Sequence, residues 1–466
     1  MFLWITWWNI VWQLRPAFSR GRTFLWAAVI LAGFSTRKDL LGIASFMRSQ
    51  YLKDNSYHRI RDFFHSNAVK LNKLTQLWIQ ICLSKLKLNL VIYNERIVLV
   101  ADGIKNPKEG RKMPGVKSLH QESTNNSKPE FIMGHSCQCV SVLVKAINGI
   151  LAIPLVARIH EGVKFTNRDK RTVIDKMRGM INEFFSEQSF YFLGGAYYAC
   201  RAMGRSLLSS NNHLVTRVRS NAVANMLATK TSRPGRPKIY GKKLKLSSIF
   251  DNRIDQFTSE NSSLYDDNNI ELKWYSLDLL WRPIGKLVRF VWVIHPTRGR
   301  CILMSTDLEL GPMSIIHLYG FRFKIEVSFK SAVHTMGTFA YRFWMKVMHK
   351  TKKGQGDVHL HHETPEYRES FKLKMRAYEI HIQLGIIAQG ILNYLSINHS
   401  LQIWSNFNGW MRTMKVDKSP SESVVAQALQ SSMREFLQSS RNRSIFKKFL
   451  EKIVDYDRFL PFDKAV

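Results

Sequence analysis

The chain has 466 residues, 45% of them hydrophobic, which is enough for two or three structural units with apolar cores. Its 69 Lys and Arg residues outnumber 35 Asp and Glu residues, and the formal net charge of +34 is typical of proteins that bind a polyanion such as nucleic acid. The five cysteines form no CxxC pair, which argues against a disulfide framework or a structural zinc site and favours a reducing compartment. We therefore expect a globular cytoplasmic protein.

The first 90 residues predict a helical region. The stretch STRKDLLGIASFMRSQ opens at Ser35, a helix N-cap candidate, and spaces its apolar residues at near-helical intervals. Two aromatic-rich runs, MFLWITWWNIVWQL and TFLWAAVILAGF, fall short of the roughly 20 apolar residues of a membrane-spanning helix, and neither looks like a signal peptide. We expect buried helices and no membrane contact; a basic protein on a membrane surface is the weaker alternative.

From about residue 91 the pattern changes to strands. The runs LVIYNERIVLVADGI, EFIMGHSCQCVSVLV and ILAIPLVARI are rich in Val, Ile and Leu and predict three strands. Asn148 and Gly149, between the last two runs, are a strong hairpin-turn signal. A helix over NRDKRTVIDKMRGMINEFF and a fourth strand ending at YFLGG then predict a mixed α/β sheet.

Residues 211–312 predict a second β-rich segment, which we interpret as an insertion. Its strand-like runs are HLVTRV, ELKWYSLDLLW, LVRFVWVIH and CILMSTDLEL. Residues 313–350 are predicted to be helical in their middle, and residues 351–466 alternate helical patterns with polar linkers.

Two acidic residues stand where chemistry is plausible. Asp102 ends the apolar strand RIVLVADG, and Glu326 lies in LYGFRFKIEVSFK with Arg322 one helical turn before it and Lys330 one turn after it. Taken singly, Asp102 fits a turn-forming residue before Gly103 equally well, and Glu326 fits an ordinary charged helix face.

Together, the segments VADGIKNPKEGRKMPGVKSLHQESTNNSKPEFIMGHS and LYGFRFKIEVSFKSAVHTMGT resemble the DDE-type transposases of bacterial insertion sequences. The resemblance is specific in these two blocks and looser elsewhere. It implies an α+β fold, in which a ribonuclease-H-like mixed sheet carries helical N- and C-terminal regions and a β-rich insertion. The implied domains are a helical DNA-binding region (1–90), the first part of the core (91–210), a β-rich basic insertion (211–312), a core helix with the third acidic residue (313–350) and a helical C-terminal region (351–466).

The resemblance implies that Asp102 and Glu326 are catalytic residues that bind Mg²⁺ or Mn²⁺. Cutting and joining DNA by two-metal chemistry needs two cations about 3.5–4 Å apart, and such hard ions prefer carboxylate oxygens. Asp102 would bridge both metals, and Glu326 would bind one of them. Tyr319 and Arg322 match supporting positions of the family pattern. The Lys of that pattern is replaced by Val333. Lys330 and His334 lie nearby, and Lys330, one helical turn from Glu326, is expected to replace the lost cation in part.

The second acidic position implied by the resemblance is vacant. It aligns with Gly195 in LGGAYYA, after the fourth strand. Asp169, Glu183 and Glu187 precede that strand, and Asp307 would reach the slot only if the sheet folded back. We therefore predict a transposase with impaired catalysis; the alternative is a catalytically inactive DNA-binding relic or a repressor of related elements.

Residues 216–246 contain many cations and no acid, and their RPGRPK core resembles the Arg-Gly-Arg-Pro element that lies in the minor groove of A/T-rich DNA. A solvated basic loop is the alternative interpretation. The predicted DNA-binding residues are Arg217, Arg219, Arg233, Arg236, Lys238, Lys242 and Lys243. The implied partner is double-stranded DNA, namely element terminal repeats and target, bound by a nucleoid-associated homodimer with no small-molecule substrate.

Overall fold

A computed structural model describes residues 1–121, 129–228, 238–262, 270–411, 416–439 and 444–459. Its helices are α1 (Phe2–Trp12), α2 (Gly21–Thr36), α3 (Ala44–Gln50), α4 (Ser56–Phe64), α5 (Leu71–Lys85), α6 (Val173–Phe184), α7 (Arg201–Ser209), α8 (Ile249–Asn252), α9 (Pro312–Phe321), α10 (Phe323–His334), α11 (Pro365–Asn398), α12 (Ser400–Asn406), α13 (Glu422–Ser431), α14 (Met433–Gln438), α15 (Ile445–Ile453) and α16 (Tyr456–Phe459). Its strands are β1 (Ile92–Tyr93), β2 (Arg96–Pro107), β3 (Lys117–His120), β4 (Phe131–Ala146), β5 (Gly149–Ile159), β6 (Val163–Lys164), β7 (Phe190–Gly194), β8 (His213–Val218), β9 (Val223–Leu227), β10 (Tyr240–Lys245), β11 (Thr258–Ser262), β12 (Ile270–Trp281), β13 (Lys286–His295), β14 (Gly299–Ser305) and β15 (Val358–His359).

The fold is mixed α/β, and the chain forms two compact units from interleaved stretches. The first unit contains residues 1–90, 103–170 and 327–466, and the second contains residues 91–102 and 171–326. Strand β2 and helix α10 therefore each contribute residues to both units. The five domain segments predicted above stay a prediction.

The aromatic N-terminus forms buried helices, as predicted. Trp4 and Trp7 of α1 are fully buried, and the Trp4 indole nitrogen donates to the Leu429 carbonyl at 2.9 Å. The predicted helix start at Ser35 is wrong. Helix α2 ends at Thr36, and the Ser35 hydroxyl donates to the Leu31 carbonyl at 2.9 Å. The apolar run before Ser35 continues the helix through this residue, so its hydroxyl satisfies a carbonyl of the last turns instead of capping a new helix.

Helix α11 is the central helix of the first unit. Gly390 lets it approach α5 closely, because a Cβ atom there would lie 2.2 Å from the ring of Trp78. The Trp78 indole nitrogen in turn donates to the Pro154 carbonyl of β5 at 3.1 Å, which joins helix to strand. Among the described residues, this one helix is long and apolar enough to cross a membrane, but 89% of its most apolar window is buried inside the protein. Such burial is typical of the core helix of a soluble protein.

The hairpin predicted at Asn148 and Gly149 is confirmed. Strands β4 and β5 pair antiparallel with Ala146 opposite Gly149, and Asn148 adopts the left-handed conformation with φ of 51° that this tight turn requires. The end of β2 lies beside β4, where the Lys108 amide donates to the Met133 carbonyl at 2.8 Å.

The second unit is organised by one large sheet. Its strand order is β10-β9-β12-β13-β14-β8-β7-β2, with β11 added on β12 and β1 added on β2. Strands β2, β7 and β8 pair in parallel. Strand β8 pairs antiparallel with β14, β14 with β13, and β13 with β12. The carboxyl ends of the three parallel strands therefore lie at one edge of the sheet, a common place for a functional site.

A buried histidine makes the first unit sensitive to acid. His135 is completely buried; its Nδ1 accepts from the Tyr341 hydroxyl at 2.6 Å, and its Nε2 donates to the Pro114 carbonyl at 2.8 Å. Burial lowers the pKa of His135 to about 3. The unfolded chain, with a His pKa of about 6.5, binds this proton first, so acidification below that pH favours unfolding.

We expect the buried, neutral His135 to lower the free energy of unfolding by about 1.4 kcal/mol for each pH unit below pH 6.5. Urea unfolding at pH 7.5, 6 and 5 measures the effect, and His135→Gln should remove this part of the slope because Gln does not titrate. Burial also holds the pKa of His381 far below its usual value, so this residue adds its own pH dependence to both proteins. The quantity to compare is therefore the difference in slope between the wild type and His135→Gln. Parallel pH profiles for wild type and variant would contradict the prediction.

Candidate active site

Asp102 lies within β2, and Gly195 directly follows β7. The predicted strand end at Asp102 is wrong, because β2 continues to Pro107. Strands β2 and β7 pair in register from Ile97 opposite Phe190 to Val100 opposite Leu193. Continued by two residues, this register sets Asp102 level with Gly195, just beyond the last paired residues. Both residues belong to the second unit.

Arg322 joins the two predicted catalytic acids. Its Nη1 donates to Asp102 Oδ2 at 2.5 Å, and its Nη2 donates to Glu326 Oε1 at 2.7 Å. Arg322 stands at the junction of α9 and α10, one helical turn before Glu326, and all three residues lie in the second unit. The structure thus brings together two acids that are far apart in the chain. Their side chains are 30% and 43% exposed, so solvent reaches the site.

The electrostatics of the site centre on this guanidinium. Partial burial lowers the pKa of Arg322, but the charges of Asp102, Tyr319 and Glu326 together outweigh burial, and the net effect raises that pKa. Arg322 therefore stays cationic at every relevant pH and offsets the negative charge of both carboxylates. A divalent cation would have to compete with this ion pair for the same oxygen atoms.

The residues present do not fit a complete two-metal site. Within the described ranges, no group of three or more His, Cys, Asp or Glu side chains is placed to hold a metal ion. The site has two carboxylates where the resemblance implies three, and one guanidinium already binds both of them. We therefore assign no reaction step to a metal ion in this chain.

Gly195 leaves an open space where a side chain would fit. Its backbone has φ of −69° and ψ of 173°, which any L-residue adopts, and a Cβ atom built there meets no atom within 4 Å. Gly194 differs, because its Cβ would lie 2.6 Å from the ring of Tyr198. The first glycine is required by packing, and the second is not.

Asp307 does not fill the slot. Asp307 accepts hydrogen bonds from the Tyr191 hydroxyl and, at 2.9 Å, from the Glu309 amide. The Thr306 amide donates to the Leu214 carbonyl of β8, the strand that neighbours β7. Asp307 therefore lies level with the start of β7, and Gly195 is about four residues, or 13 Å, further along that strand.

Two acids that precede the fourth strand, and two predicted supporting residues, lie on α6, α9 and α10 or in a flanking loop. Glu183 is on α6 and Glu187 is in the loop after it. Tyr319, on α9, interacts with the charge of Arg322. Lys330 is exposed on α10, one turn after Glu326 on the same helix.

A sequence comparison identifies the family. Residues 13–256, more than half of the chain, match the pattern of the DDE superfamily endonucleases. The chain belongs to this family. The matched stretch contains Asp102 and Gly195 but ends before Glu326, so the position of the third acid depends on the contact with Arg322. Enzymes of the DDE superfamily generally use divalent metal ions.

Two further comparisons add little to the family assignment. No curated protein matches this DDE superfamily endonuclease. It is similar to a piggyBac transposase solved by cryo-EM as a synaptic complex with hairpin DNA, at 12% sequence identity and a TM-score of 0.35. That similarity covers 94% of this chain and 78% of the other.

This DDE superfamily endonuclease exposes the described part of its predicted DNA-binding segment. Arg217 of β8, Arg219 after it, Lys238, and Lys242 and Lys243 of β10 all face solvent. Arg233 and Arg236 lie outside the described residues. The exposed cations of the described segment belong to the second unit of the endonuclease.

Two cations that are not among the predicted DNA-binding residues extend this surface: Lys245, inside the basic segment 216–246, and Arg300, outside it. Arg217, Lys245 and Arg300 line a pocket of about 390 Å³ together with the hydroxyls of Ser220, Ser247 and Ser248. Arg300 comes from β14, which the sheet places beside β8, and it also pairs with Asp251 at 2.8 Å. Arg300 lies outside the basic segment 216–246, in the run TRGRC, so only the pairing of β14 with β8 reveals its contribution.

Proposed function

We propose that this chain is a transposase of the bacterial insertion-sequence type that binds element ends and whose strand cutting is severely impaired. One observation carries the proposal: Asp102 and Glu326 meet at Arg322, beside an open position at Gly195 where a third acid would fit. Two acids brought together from a strand and a later helix are part of the arrangement that the resemblance implies. The missing third acid is the reason for impairment.

The strand arrangement supports a ribonuclease-H-like core. Strand β2 lies beside β4 at its end, β4 forms a hairpin with β5, and the start of β2 pairs in parallel with β7, which pairs with β8. An antiparallel three-strand meander extended by parallel strands is the pattern that the resemblance implies. Asp102 on the first of these strands then occupies the first acidic position.

The expected loss of activity is large. In a complete site, divalent ions such as Mg²⁺ or Mn²⁺ stabilise the attacking and leaving oxygens of a phosphodiester. Losing a residue that only supports a metal ligand costs about 10- to 100-fold, and losing a ligand itself costs more. In this chain, Asp102 and Glu326 bind the guanidinium of Arg322. Strand β7 supplies no third carboxylate that could bind a metal ion.

The basic charge supports DNA binding. The net charge of +34 and the exposed cations of β8 and β10 favour a duplex phosphate backbone. We infer that the partners are element ends and target DNA, that two copies act on paired ends, and that the protein is located with the bacterial nucleoid in the cytoplasm.

Gly195 equally favours a second function, that of a DNA-binding protein without nuclease activity. Such a relic would occupy the ends of related intact elements and repress their movement. It differs from the impaired transposase only in retaining no residual cleavage.

A nicking assay tests the proposal. We expect the unmodified chain to bind duplex DNA at low salt, but to nick supercoiled plasmid in Mg²⁺ or Mn²⁺ within about 10-fold of the Asp102→Asn variant, because the site is already incomplete. Strong metal-dependent nicking that Asp102→Asn abolishes would refute the impairment. Failure to bind duplex DNA at low salt would refute the DNA function itself.

A further inference from the structure

An extended segment after α10 presents alternating side chains to the interior and to solvent. Tyr341, Phe343 and Met345 are 1%, 5% and 5% exposed, whereas the residues between and after them, Arg342, Trp344 and Lys346, face outward. An extended chain turns successive side chains to opposite sides. The outer side of this segment therefore shows a cation, an indole ring and a second cation in a row.

The segment is held firmly in place. The Met345 amide donates to the Lys112 carbonyl at 3.0 Å, and the Thr351 amide donates to the Arg111 carbonyl at 2.7 Å. The Lys112 ammonium donates to the Lys346 carbonyl at 2.9 Å. These contacts and the three buried side chains fix the direction of the outward residues without covering them.

Trp344 is anchored at one end and open elsewhere. It is 52% exposed, although its Nε1 packs so closely on Gly110 that a Cβ atom there would lie 2.4 Å away. A large aromatic residue held rigidly at the surface loses little conformational freedom when a ligand stacks on it. Gly110 is therefore a position at which a side chain would displace the indole.

Cations surround this ring. Trp344 lines a shallow cavity of about 410 Å³ with Met345 and four basic residues, Arg111, Lys112, Lys346 and Lys350. We call these six residues the Trp344 platform. No acid lines the cavity, and within the described ranges no carboxylate forms an ion pair with any of the four cations. All members belong to the first unit.

We propose that the Trp344 platform binds an unpaired nucleotide of single-stranded DNA, with the base stacked on the indole and the flanking phosphates on the cations. Base stacking on an aromatic side chain combined with a basic groove is the usual means of binding single strands. A base inside a duplex is covered by its neighbours, so the ring selects unpaired nucleotides. A membrane surface would need a wider apolar face than one indole ring.

This inference rests on the proposed DNA function and deepens it. Cutting and joining DNA produces strand ends whose terminal bases can leave the duplex. A platform for unpaired nucleotides would hold such ends, and it would do so in a chain that no longer cuts efficiently.

Fluorescence anisotropy with the full-length chain tests the platform. The probes are labelled 12-nucleotide oligo-dT and a blunt 20-base-pair duplex. We expect Trp344→Ala to weaken oligo-dT binding about 5- to 100-fold and duplex binding less than about 2-fold, because only the unpaired base stacks. Trp344→Phe should keep most of the affinity. Lys346→Ala and Lys350→Ala should each lower the salt slope for oligo-dT by about 0.7.

Trp410→Ala is the matched control. Trp410 is 82% exposed and lies outside the platform, so its removal should leave oligo-dT binding unchanged. Equal weakening of both probes by Trp344→Ala, or no weakening of either, would overturn the proposal. Trp344-dependent binding of phosphatidylserine vesicles without oligo-dT binding would assign the platform to a membrane instead. Binding of the duplex but not of oligo-dT would refute the platform alone, whereas binding of neither would refute the DNA function.

Discussion

Gly195→Asp is expected to raise metal-dependent nicking of supercoiled DNA by more than about 100-fold over the unmodified chain, because it supplies a third carboxylate to the site. The backbone at Gly195 accepts an L-residue, and the space beyond its Cα is open, so the new side chain enters without strain. It would stand beside Asp102 and face the guanidinium of Arg322. Three carboxylates around one cation favour its replacement by divalent ions.

Matched variants separate charge from shape in this experiment. Gly195→Asn has the same size but no negative charge, so it should leave nicking at the level of the unmodified chain. Gly194→Asp puts the same acid one residue earlier, where it meets the ring of Tyr198, and should destabilise the fold without restoring activity. Combining Gly195→Asp with Asp102→Asn should abolish the gain. Equal nicking by Gly195→Asp and Gly195→Asn would show that the slot is misplaced.

Binding of duplex DNA is expected to collapse as salt rises. With 6 to 10 phosphate contacts, affinity should fall about 10³- to 10⁵-fold between roughly 50 and 200 mM salt, since each contact adds about 0.9 to the slope of log affinity against log salt. The triple variant Arg217→Ala, Lys242→Ala and Lys243→Ala should lower that slope by as much as about 2.7. Anisotropy titrations of one duplex over a salt series give both values.

Lysines on another surface serve as the control for this experiment. Lys448 and Lys452 are exposed on α15, so their replacement by Ala removes net charge without touching the predicted DNA-binding strands. If the slope falls equally for both sets, DNA binding depends on net charge, and the assignment of Arg217, Lys242 and Lys243 is refuted.

Local patterns predicted much of the secondary structure. The hairpin at Asn148 and Gly149 and the strand that contains Asp102 follow from turn chemistry and strand composition, which act between neighbouring residues, although that strand continues to Pro107 instead of ending at Asp102. The error at Ser35 has the same origin. A capping residue and a residue within a last helical turn have similar local sequences, and the preceding apolar run decided between them.

The candidate site was predicted in part. Asp102, Glu326 and Arg322 were selected by a family resemblance, but that the guanidinium holds both acids at once is a tertiary contact. The resemblance also assigns the vacant position to Gly195, but it does not show whether Gly194 or Gly195 has room for a side chain. Only the ring of Tyr198, folded back over Gly194, shows that the position at Gly195 is the open one.

The sequence by itself determined the basic character of the protein and most of the succession of helices and strands, because charge and periodicity are properties of short stretches of chain. The class of protein was implied by the resemblance of two sequence blocks to a family. The tertiary structure alone decided which distant residues become neighbours: Asp102 with Gly195 through strand register, Arg217 with Arg300 through β14, and Trp344 with Arg111 through backbone hydrogen bonds. Such neighbours depend on how sheets pair and how segments pack, and both are set by burial of apolar surface over the whole unit, which no local pattern encodes.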